Sequence, residues 1–528
     1  MTPNFNPGSE ETTRSILRSG YLTVGDALRY NARIIPDSVA IQWDKGALTF
    51  TQLNTRANCL ANAFLAQGIV RGDRVAVLAE NRVEYCEVVY AAAKLGIIVP
   101  CLNWRLAPDE LKYCINLTSP ETIVVSAIHR NLFEQVRNDL TSLKRVIFLD
   151  EVPENENEFS YQTLLESGNA REPISNVVPE DALVIVYTSG TTGYPKGAII
   201  THRALFGRAW IWVRDLNLKP EDTFLGWAPM FHMASMDQML VNGIIGGKFI
   251  PIPGLEPERI VHHLFSERLG WFLLMPGSFD PVIELLQKTD KKPVGVLTVG
   301  AMADLVPPQT IAEITRLVNA PYLNSFGSTE TGMAPASNST LAIGKVPIDF
   351  AKKVNSACEI RLIDQDDQDV PLNEPGELII RGISICSGYW NNEKTNNDDF
   401  RNGWFHMGDV FTMQEDRRVN FVDRRKYLIK SGGENIYPAE IERVLMSHTA
   451  VDEAVVVRAS DQKWGEIPKA YIAANDPKVS ADELMTLCKQ NLASYKKPRL
   501  FEFVPLDKFP RSTTGKILRH EVEKWHKE

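Results

Sequence analysis

The sequence lacks several features that would assign a chain of 528 residues to a common class of protein. No apolar run approaches the roughly 18 residues of a membrane-spanning helix, so we expect no integral membrane segment. Residues 1–11 contain no apolar signal-peptide core, which favours a cytoplasmic location. The net charge of −9 argues against a nucleic-acid-binding surface.

Cysteine is also scarce, and its spacing excludes two further kinds of protein. The 7 cysteines are odd in number and include no C-x-x-C pair, which disfavours a disulfide framework and a zinc site. No G-x-S-x-G motif is present, so serine-hydrolase chemistry has no support. His262 and His263 have no further ligand at metal-binding spacing, and we assign them no metal.

Helix-like and strand-like segments alternate along most of the chain, as in parallel sheets built from βαβ units. The length exceeds that of a single hydrophobic core. We predict an α/β fold whose large N-terminal domain, residues 1–425, has two βαβ-type subdomains and a small β-barrel near residues 340–425. A small α+β C-terminal domain follows, residues 426–528. The predicted helices include residues 51–65, 84–95, 108–119, 201–215 and 258–268, and the predicted strands include residues 74–78, 97–100, 122–125, 182–186, 198–200, 271–274 and 294–299.

The most informative stretch is residues 187–197, Y-T-S-G-T-T-G-Y-P-K-G. Glycines, serine and threonine hydroxyls and one lysine together make a cradle for phosphate oxygens. The stretch fails the Walker pattern, because Pro195 and Gly197 occupy the second glycine and the hydroxyl positions. Short strands flank it on both sides, which predicts strand–loop–strand. We favour a phosphate loop for a nucleoside triphosphate over a solvated surface loop.

Three other places carry polar residues in turns after predicted strands. Gly300 and Ala301 end one strand, where ligands bind in open α/β sheets. Residues 324–332 hold an aromatic beside glycine, and Glu330, an oxygen ligand of the kind that Mg²⁺ prefers. Residues 403–409 end in Asp409, placed to accept hydrogen bonds from ribose hydroxyls. Each is weak alone, since each is also an ordinary turn.

Five stretches together resemble, in order and spacing, the signature motifs of the adenylate-forming (AMP-binding) superfamily: residues 187–197, 326–330, 404–409, 423–442 and 510–516. That superfamily contains the acyl-CoA synthetases, the adenylation domains of peptide synthetases and firefly luciferase. The resemblance covers nearly the whole chain. The S-G-G-E-N-I-Y-P run and the P-R-S-T-T-G-K ending are most similar to the acyl-CoA synthetase branch.

The resemblance implies roles for individual residues. It implies a phosphate-binding loop made of Thr188, Ser189, Gly190, Thr191, Thr192, Gly193 and Lys196. It implies that Thr188 and Glu330 contact Mg²⁺, that Thr329 contacts phosphate, and that Phe326, beside Gly327, stacks on adenine. Asp409 and Arg424 match the ribose ligands, and Gly300 and Ala301 lie on the nucleotide side. Lys516 matches the lysine that supports adenylation, and Lys426 matches the hinge about which a mobile C-terminal domain rotates. Gly432 and Gly433 match the loop beside the pantetheine tunnel, and His232 matches a position near the acyl site.

We therefore predict an ATP-dependent acyl-CoA synthetase that forms acyl-AMP, releases pyrophosphate and transfers the acyl group to coenzyme A. Aromatic and methionine side chains between residues 227 and 300 favour a bulky apolar acid: medium or long fatty, aromatic or alicyclic. Loading of a carrier protein, a luciferase-like oxygenase and a non-catalytic nucleotide-binding module remain as alternatives. Three of these residues could instead have purely structural roles. Lys516 could be a solvated residue at a helix start, Lys426 an ordinary linker charge, and His232 a core histidine. A homo-oligomer remains open.

Overall fold

The computed structural model describes residues 9–151, 153, 155–188, 195–431, 434–511 and 517–525. Its first part alternates helices and short strands. In chain order they are α1 (Glu10–Ser19), α2 (Val24–Ile34), β1 (Val39–Trp43), β2 (Gly46–Thr49), α3 (Phe50–Ala66), β3 (Val75–Leu78), α4 (Val83–Leu95), β4 (Val99–Cys101), α5 (Pro108–Thr118), β5 (Thr122–Val125), α6 (Arg130–Glu134), β6 (Arg145–Phe148), β7 (Glu158–Ser160), α7 (Tyr161–Ser167), β8 (Ala182–Thr188) and β9 (Lys196–Thr201).

The alternation resumes after β9 and gives the second part of the same large unit. Its elements are α8 (His202–Leu216), β10 (Thr223–Gly226), α9 (Met233–Ile245), β11 (Lys248–Pro251), α10 (Pro257–Leu264), β12 (Arg268–Phe272), α11 (Phe279–Gln287), β13 (Gly295–Val299), α12 (Pro308–Val318), β14 (Tyr322–Leu323), β15 (Gly327–Ser328), β16 (Gly332–Pro335) and β17 (Thr340–Leu341). Thr201 caps α8 as its sequence position suggests, because its hydroxyl accepts a hydrogen bond from the amide of Ala204.

Two mainly parallel sheets organise these elements. One has seven strands in the order β7-β6-β5-β3-β4-β8-β9, parallel except for the final β8/β9 pair. The other has eight strands in the order β17-β14-β13-β12-β10-β11-β1-β2, parallel from β14 to β1. Strands β3 and β5 are buried along their whole length, as expected for parallel strands covered by helices on both faces. The two predicted βαβ-type subdomains are therefore confirmed.

The predicted helix over residues 258–268 extends too far. Helix α10 ends at Leu264, and Arg268 begins strand β12, where it pairs with Gly295 of β13. Residues 265–267 form a turn that ends the helix, and the chain then pairs with β13.

The β-rich region is an open antiparallel sheet where the sequence predicted a small barrel. Its elements are β18 (Cys358–Ile363), β19 (Gly376–Gly382), α13 (Glu393–Asp399), β20 (Phe405–Met413) and β21 (Val419–Arg424), and its strand order is β18-β19-β20-β21. Within the described part of the chain the edge strands β18 and β21 do not pair with each other. Four strands are too few to close around a filled interior.

The last part forms an α+β unit with its own sheet. It contains β22 (Ile429–Ser431), β23 (Glu434–Ile436), α14 (Pro438–Met446), β24 (Val451–Asp461), β25 (Gly465–Ala474), α15 (Ala481–Asn491), β26 (Leu500–Phe503) and α16 (Arg519–Val522). Helices α14 and α15 pack Ile441, Leu445 and Leu484 on one face of the sheet, and Tyr471 and Phe509 pack on the other. The boundary at residues 425 and 426 stays a prediction. No helix in the described ranges has the length and apolar character needed to cross a membrane.

Candidate active site

The predicted phosphate loop connects two antiparallel strands, as the failed Walker pattern suggested. Strand β8 is buried at Leu183–Val186 in register with β9, and its last residue, Thr188, pairs with Lys196, the first residue of β9. Thr188 and Lys196 are therefore cross-strand neighbours at the mouth of the loop. Ser189, Gly190, Thr191, Thr192 and Gly193 lie outside the described residues.

A cluster of charged and aromatic side chains joins Lys196 to Glu330. The Tyr389 hydroxyl donates a hydrogen bond of 2.8 Å to Oε1 of Glu330. The Lys196 ammonium lies 4.9 Å from the centre of the Tyr389 ring and 3.7 Å from Oδ2 of Asp399. Burial raises the pKa of the Asp399 carboxyl, and the positive charge of Lys196 opposes that effect. Residues far apart in the sequence thus place one cation and two carboxylates around one buried aromatic ring.

Sequence reasoning missed Tyr389 and Asp399. Tyr389 is 5% exposed and follows a glycine between β19 and α13, in a segment without a recognisable motif. Asp399 ends α13 and looks in the sequence like a solvated acidic residue. Their closeness to Lys196 depends on pairing of the segment before α13 with β9, where Tyr389 bridges Ala198.

The turn between β15 and β16 carries Thr329 and Glu330 and is held tightly. A Cβ atom on Gly327 would lie 2.0 Å from the Gly332 carbonyl oxygen, so only glycine fits there. The Glu330 carbonyl accepts a hydrogen bond of 2.7 Å from the Cys386 amide. Phe326 stacks on Phe421, with ring centres 5.2 Å apart. These contacts place the predicted adenine-stacking residue between the turn and β21.

Asp409 and Arg424, the predicted ribose ligands, are brought together. They face each other across β20 and β21, and Arg424 Nε lies 3.1 Å from Oδ1 of Asp409. Asp409 is only 2% exposed, so its carboxylate is held in a defined position. An ionised carboxylate in such a position is a strong hydrogen-bond acceptor.

Gly300 and Ala301 stand at the carboxyl end of β13, as predicted. Gly300 has φ = 76°, and a Cβ atom there would lie 2.2 Å from the Tyr322 ring. The Trp271 indole N–H donates to the Gly300 carbonyl at 2.8 Å, and the Tyr322 hydroxyl donates to the Ala301 carbonyl at 2.8 Å. This strand end is consequently rigid, and both contacts come from aromatic side chains.

His232 is the N-cap of α9, and its ring accepts a hydrogen bond of 3.2 Å from the Ala234 amide. The segment before it is held from the first sheet by Asn81, which sequence reasoning missed. The Asn81 side chain donates to the Gly226 and Ala228 carbonyls and accepts from the Met230 amide, each at 2.7 Å. Asn81 therefore fixes the position of the predicted acyl-site segment relative to β3.

The predicted hinge residue Lys426 lies in a short turn after β21. Its carbonyl accepts a hydrogen bond from Arg458 of the C-terminal sheet, and its ammonium lies over the Tyr427 ring. Gly432, Gly433 and Lys516 lie outside the described residues. The described residues that flank Lys516 are tied together, because Arg511 and Ile517 form an antiparallel bridge.

The two residues predicted to contact Mg²⁺ carry oxygen donors, which suit a hard cation. Thr188 supplies a hydroxyl and Glu330 a carboxylate, and oxygen donors are what Mg²⁺ requires. No group of three or more His, Cys, Asp or Glu side chains able to hold a metal occurs among the residues described. With only two predicted protein donors, phosphates and water would have to supply the other ligands of Mg²⁺.

Comparison with known proteins decides the family. The AMP-binding enzyme profile matches residues 28–390, and the profile of the AMP-binding enzyme C-terminal domain matches residues 440–516. This chain belongs to the AMP-binding enzyme family. The predicted membership of the adenylate-forming superfamily is thereby confirmed.

Individual relatives are CoA ligases. The chain is 30% identical over 485 residues to the long-chain-fatty-acid–CoA ligase FadD13 of Mycobacterium tuberculosis, covering 89% of this chain and 92% of the relative. It is 30% identical to the 2-succinylbenzoate–CoA ligase of Bacillus mycoides, covering 95% and 98%.

Among solved structures, the o-succinylbenzoate CoA synthetase (MenE) of Bacillus subtilis with its acyl-adenylate intermediate matches with a TM-score of 0.79 and 27% identity, covering 94% and 97%. The same enzyme with ATP and a magnesium ion matches equally well, at 27% identity and a TM-score of 0.79. Together these findings confirm the predicted class of enzyme, an AMP-forming acyl-CoA synthetase. These comparisons do not identify the carboxylic acid that this enzyme activates.

Proposed function

We propose that this AMP-binding enzyme activates a bulky apolar carboxylic acid with ATP and Mg²⁺ and transfers the acyl group to coenzyme A. The observation that supports this most directly is the grouping of predicted site residues from separate segments: Thr188 and Lys196 near Glu330, and Asp409 beside Arg424. Lys196 and Glu330 share the Tyr389 ring, and Asp409 and Arg424 form one cross-strand pair. A triphosphate and a ribose need these donors and acceptors.

The first half-reaction joins two anions. A carboxylate oxygen of the acid attacks the α-phosphorus of ATP, an acyl–phosphate bond forms, and the bond to the β-phosphate breaks with release of pyrophosphate. Positive groups aimed at the developing charge are the main means of lowering this barrier. Lys196 is placed at the mouth of the phosphate loop, beside the departing phosphates in this proposal. Lys516 is assigned to the α-phosphate, where bonds change.

The protein's oxygen ligands complete the cation set. Thr188 and Glu330 would hold Mg²⁺, which when bound neutralises charge on the phosphate oxygens. The Tyr389 hydroxyl orients the Glu330 carboxylate through its hydrogen bond. Asp409 would fix the ribose, and Phe326 would form one wall of the adenine site.

In the second half-reaction the thiol sulfur of coenzyme A attacks the acyl carbon, and the bond to AMP breaks. The thiol proton is released and AMP departs with the electron pair of the broken bond. The two half-reactions require different neighbours around the acyl carbon. Rotation of the C-terminal unit at Lys426 would exchange them, which is a lid-type conformational step.

The segment proposed to bind the acid contains buried aromatic side chains. Phe231 is 5% exposed, and its ring lies edge-on to Trp104, with ring centres 5.8 Å apart. Trp227 and Trp271 are both buried, and each indole N–H is satisfied by a backbone carbonyl. Because these two indole N–H groups are already bonded, they offer nothing to a second charged group, and we infer that an apolar acid fits best beside them.

The test is a panel of acids assayed with the full-length enzyme. Pyrophosphate release is measured with ATP, Mg²⁺ and fatty acids of medium and long chain, aromatic acids, alicyclic acids and acetate. Thioester formation is then measured with coenzyme A and, separately, with a phosphopantetheinyl carrier domain. We expect acid-dependent pyrophosphate release with a bulky apolar acid, and thioester with coenzyme A.

Each alternative has its own outcome in the same experiment. Release with acetate but none of the bulky acids would contradict the proposed acid class. Thioester with the carrier domain alone would contradict the proposed acceptor, and oxygen uptake would favour the luciferase-like reaction. Release with no acid in the panel would contradict the proposed function itself.

A further inference from the structure

Arg208 is a buried cation that lies directly behind the turn carrying Glu330. It stands on α8, is 1% exposed, and pairs with Asp237 of α9 through Nη1 at 2.8 and 2.6 Å. Its Nη2 donates to the Thr329 carbonyl at 2.9 Å, and its Nε donates to the Ser384 carbonyl at 3.2 Å. One guanidinium therefore connects a helix, a turn and a loop.

Both backbone segments that Arg208 holds also touch Glu330. Thr329 precedes Glu330 in the turn. Ser384 lies two residues before Cys386, whose amide donates to the Glu330 carbonyl, and five residues before Tyr389, whose hydroxyl donates to the Glu330 carboxylate. The position of the Glu330 carboxylate thus depends on two segments that share one anchor.

The packing around Arg208 leaves little room for adjustment. A Cβ atom on Gly332, which has φ = 69°, would lie 2.8 Å from Cγ of Arg208. A Cβ atom on Gly207 would lie 2.7 Å from the Ile383 carbonyl carbon, so α8 lies directly against the loop that contains Ser384. The turn, α8 and the loop are therefore in close contact, and Arg208 fills the space between them.

Only a planar fork of donors can make these contacts together. The guanidinium places its N–H groups in fixed directions, so it can bond a carboxylate and two carbonyls at once. A lysine ammonium keeps the charge opposite Asp237 but cannot span the same acceptors. Asp237 in turn makes the burial of the Arg208 charge tolerable, because a buried charge needs a partner.

We propose that Arg208 is a positioning residue that fixes Glu330 for Mg²⁺, and so determines how strongly Mg²⁺ enhances ATP binding. The proposal rests on the metal role of Glu330 in the proposed function. Arg208 touches neither the nucleotide nor the metal in this scheme. It acts through the backbone of Thr329 and Ser384.

The test measures ATP binding to the full-length enzyme by isothermal titration calorimetry, without acid or coenzyme A. Each variant is titrated once with Mg²⁺ and once with a chelator, and the ratio of the two affinities is the magnesium enhancement. Arg208→Lys should lower this enhancement by about tenfold, since disturbing the supporting shell of a metal ligand typically costs 10–100-fold in affinity. Its affinity for ATP in chelator should fall by less than the magnesium enhancement does, because of the predicted phosphate contacts that the structure describes Arg208 bonds only to Thr329, through its carbonyl.

Two further variants separate positioning from general stability. Arg208→Gln combined with Asp237→Asn removes both charges, leaves no unpaired buried ion, and should lower the enhancement as Arg208→Lys does. Lys94→Gln is the matched control, because Lys94 is another buried cation, paired with Glu172 at 2.5 Å and bonded to Asn54. It should lose folded stability and keep the magnesium enhancement.

The outcomes are distinct. An unchanged enhancement in Arg208→Lys and in the double variant would overturn the proposal and leave Arg208 a packing residue. An equal loss of ATP affinity with and without Mg²⁺ would also overturn it. If Mg²⁺ does not enhance ATP binding to the wild-type enzyme, both the metal role of Glu330 and the positioning role of Arg208 are refuted. Failure of the acid panel would leave this binding result untouched, so the two proposals can fail separately.

Discussion

Replacing Arg519 by methionine should show how much a buried ion network between the C-terminal unit and β21 contributes to the free energy of unfolding. The guanidinium of Arg519 lies 3.1 Å from Oδ1 of Asp423 and also donates to the Glu442 carboxylate. Asp423 is 2% exposed and Glu442 is 9% exposed. Asp423 also accepts from the Ala439 amide at 2.7 Å. One cation thus balances two buried carboxylates, and methionine keeps most of the side-chain volume while removing the charge.

The magnitude follows from the partners left behind. Removing one member of a buried ion pair typically costs about 3–5 kcal/mol, because the remaining charge is neither paired nor hydrated. We expect Arg519→Met to lower the free energy of unfolding of the C-terminal unit by this amount at pH 8.5. Lys144, which pairs with Glu121 on an exposed surface, gives a matched control. Lys144→Met should cost at most roughly 1 kcal/mol at any pH.

The pH dependence distinguishes charge from packing. Burial raises the pKa of Glu442 to about 7, although Arg519 lowers it. A carboxyl whose folded pKa exceeds its unfolded pKa destabilises the fold progressively as pH rises from the unfolded value to the folded value. In the wild type that decline ends near pH 7. In Arg519→Met the pKa of Glu442 is higher still, so the decline continues above pH 7.

The difference in stability between wild type and Arg519→Met should therefore widen from pH 6 to pH 8.5. Each unit of additional pKa shift corresponds to about 1.4 kcal/mol, and we expect a widening of about 1–2 kcal/mol. Urea denaturation at pH 6, 7 and 8.5, followed by circular dichroism and tryptophan fluorescence, measures it. A loss of the same size at all three pH values would refute the electrostatic reasoning. It would assign the effect to contact of Arg519 with the Tyr427 ring, 4.6 Å away.

Two further predictions concern the half-reactions. Lys516→Ala should slow acyl-AMP formation by about a thousandfold, because a lysine about 4 Å from an oxyanion contributes roughly 4 kcal/mol at an effective dielectric near 20. It should still convert supplied acyl-AMP to thioester, and an equal loss in both halves, measured as pyrophosphate and thioester, would contradict the assigned role. Lys426→Pro should block thioester formation and spare adenylation, because proline removes the φ freedom of a hinge. Normal thioester formation from acyl-AMP in that variant would show that the hinge lies elsewhere.

The parallel sheets were predictable because their strands are apolar and bounded by clear breaks. Residues 75–78 and 122–125 are continuous runs of buried side chains, and a polar residue follows each run within two positions. The strands β1 and β2 were not predicted, although they belong to the eight-stranded sheet, where β1 pairs with β11. Their place depends on a pairing between Ile41 and Phe249, and such distant pairing leaves no local pattern.

Some residues of the candidate site could likewise be predicted from the sequence, and others could not. Site roles could be predicted for Thr188, Lys196, Asp409 and Glu330 because phosphate, ribose and Mg²⁺ require particular donors. Arg208 was not identified, since an arginine in an amphipathic helix is ordinarily solvated. Its burial depends on Asp237, which is 29 residues away, and on the Thr329 carbonyl, which is 121 residues away. Residues that support others are recognised by their contacts, and contacts of this range need the fold.

Substitutions that change the acid specificity should be tolerated best at residues that make no hydrogen bond to the backbone of the predicted nucleotide site. Trp271 does make such a bond. Its indole N–H holds the Gly300 carbonyl, while its ring packs against Trp212 and Phe224. The backbone at Gly300 is closely packed, because a Cβ atom there would lie 2.2 Å from the Tyr322 ring. We therefore expect a substitution at Trp271 to disturb both the proposed apolar wall and the strand end that is predicted to face the nucleotide. Met233, at the start of α9, is half-buried and holds no such bond, so enlargement or narrowing of the acid site should be tolerated there first.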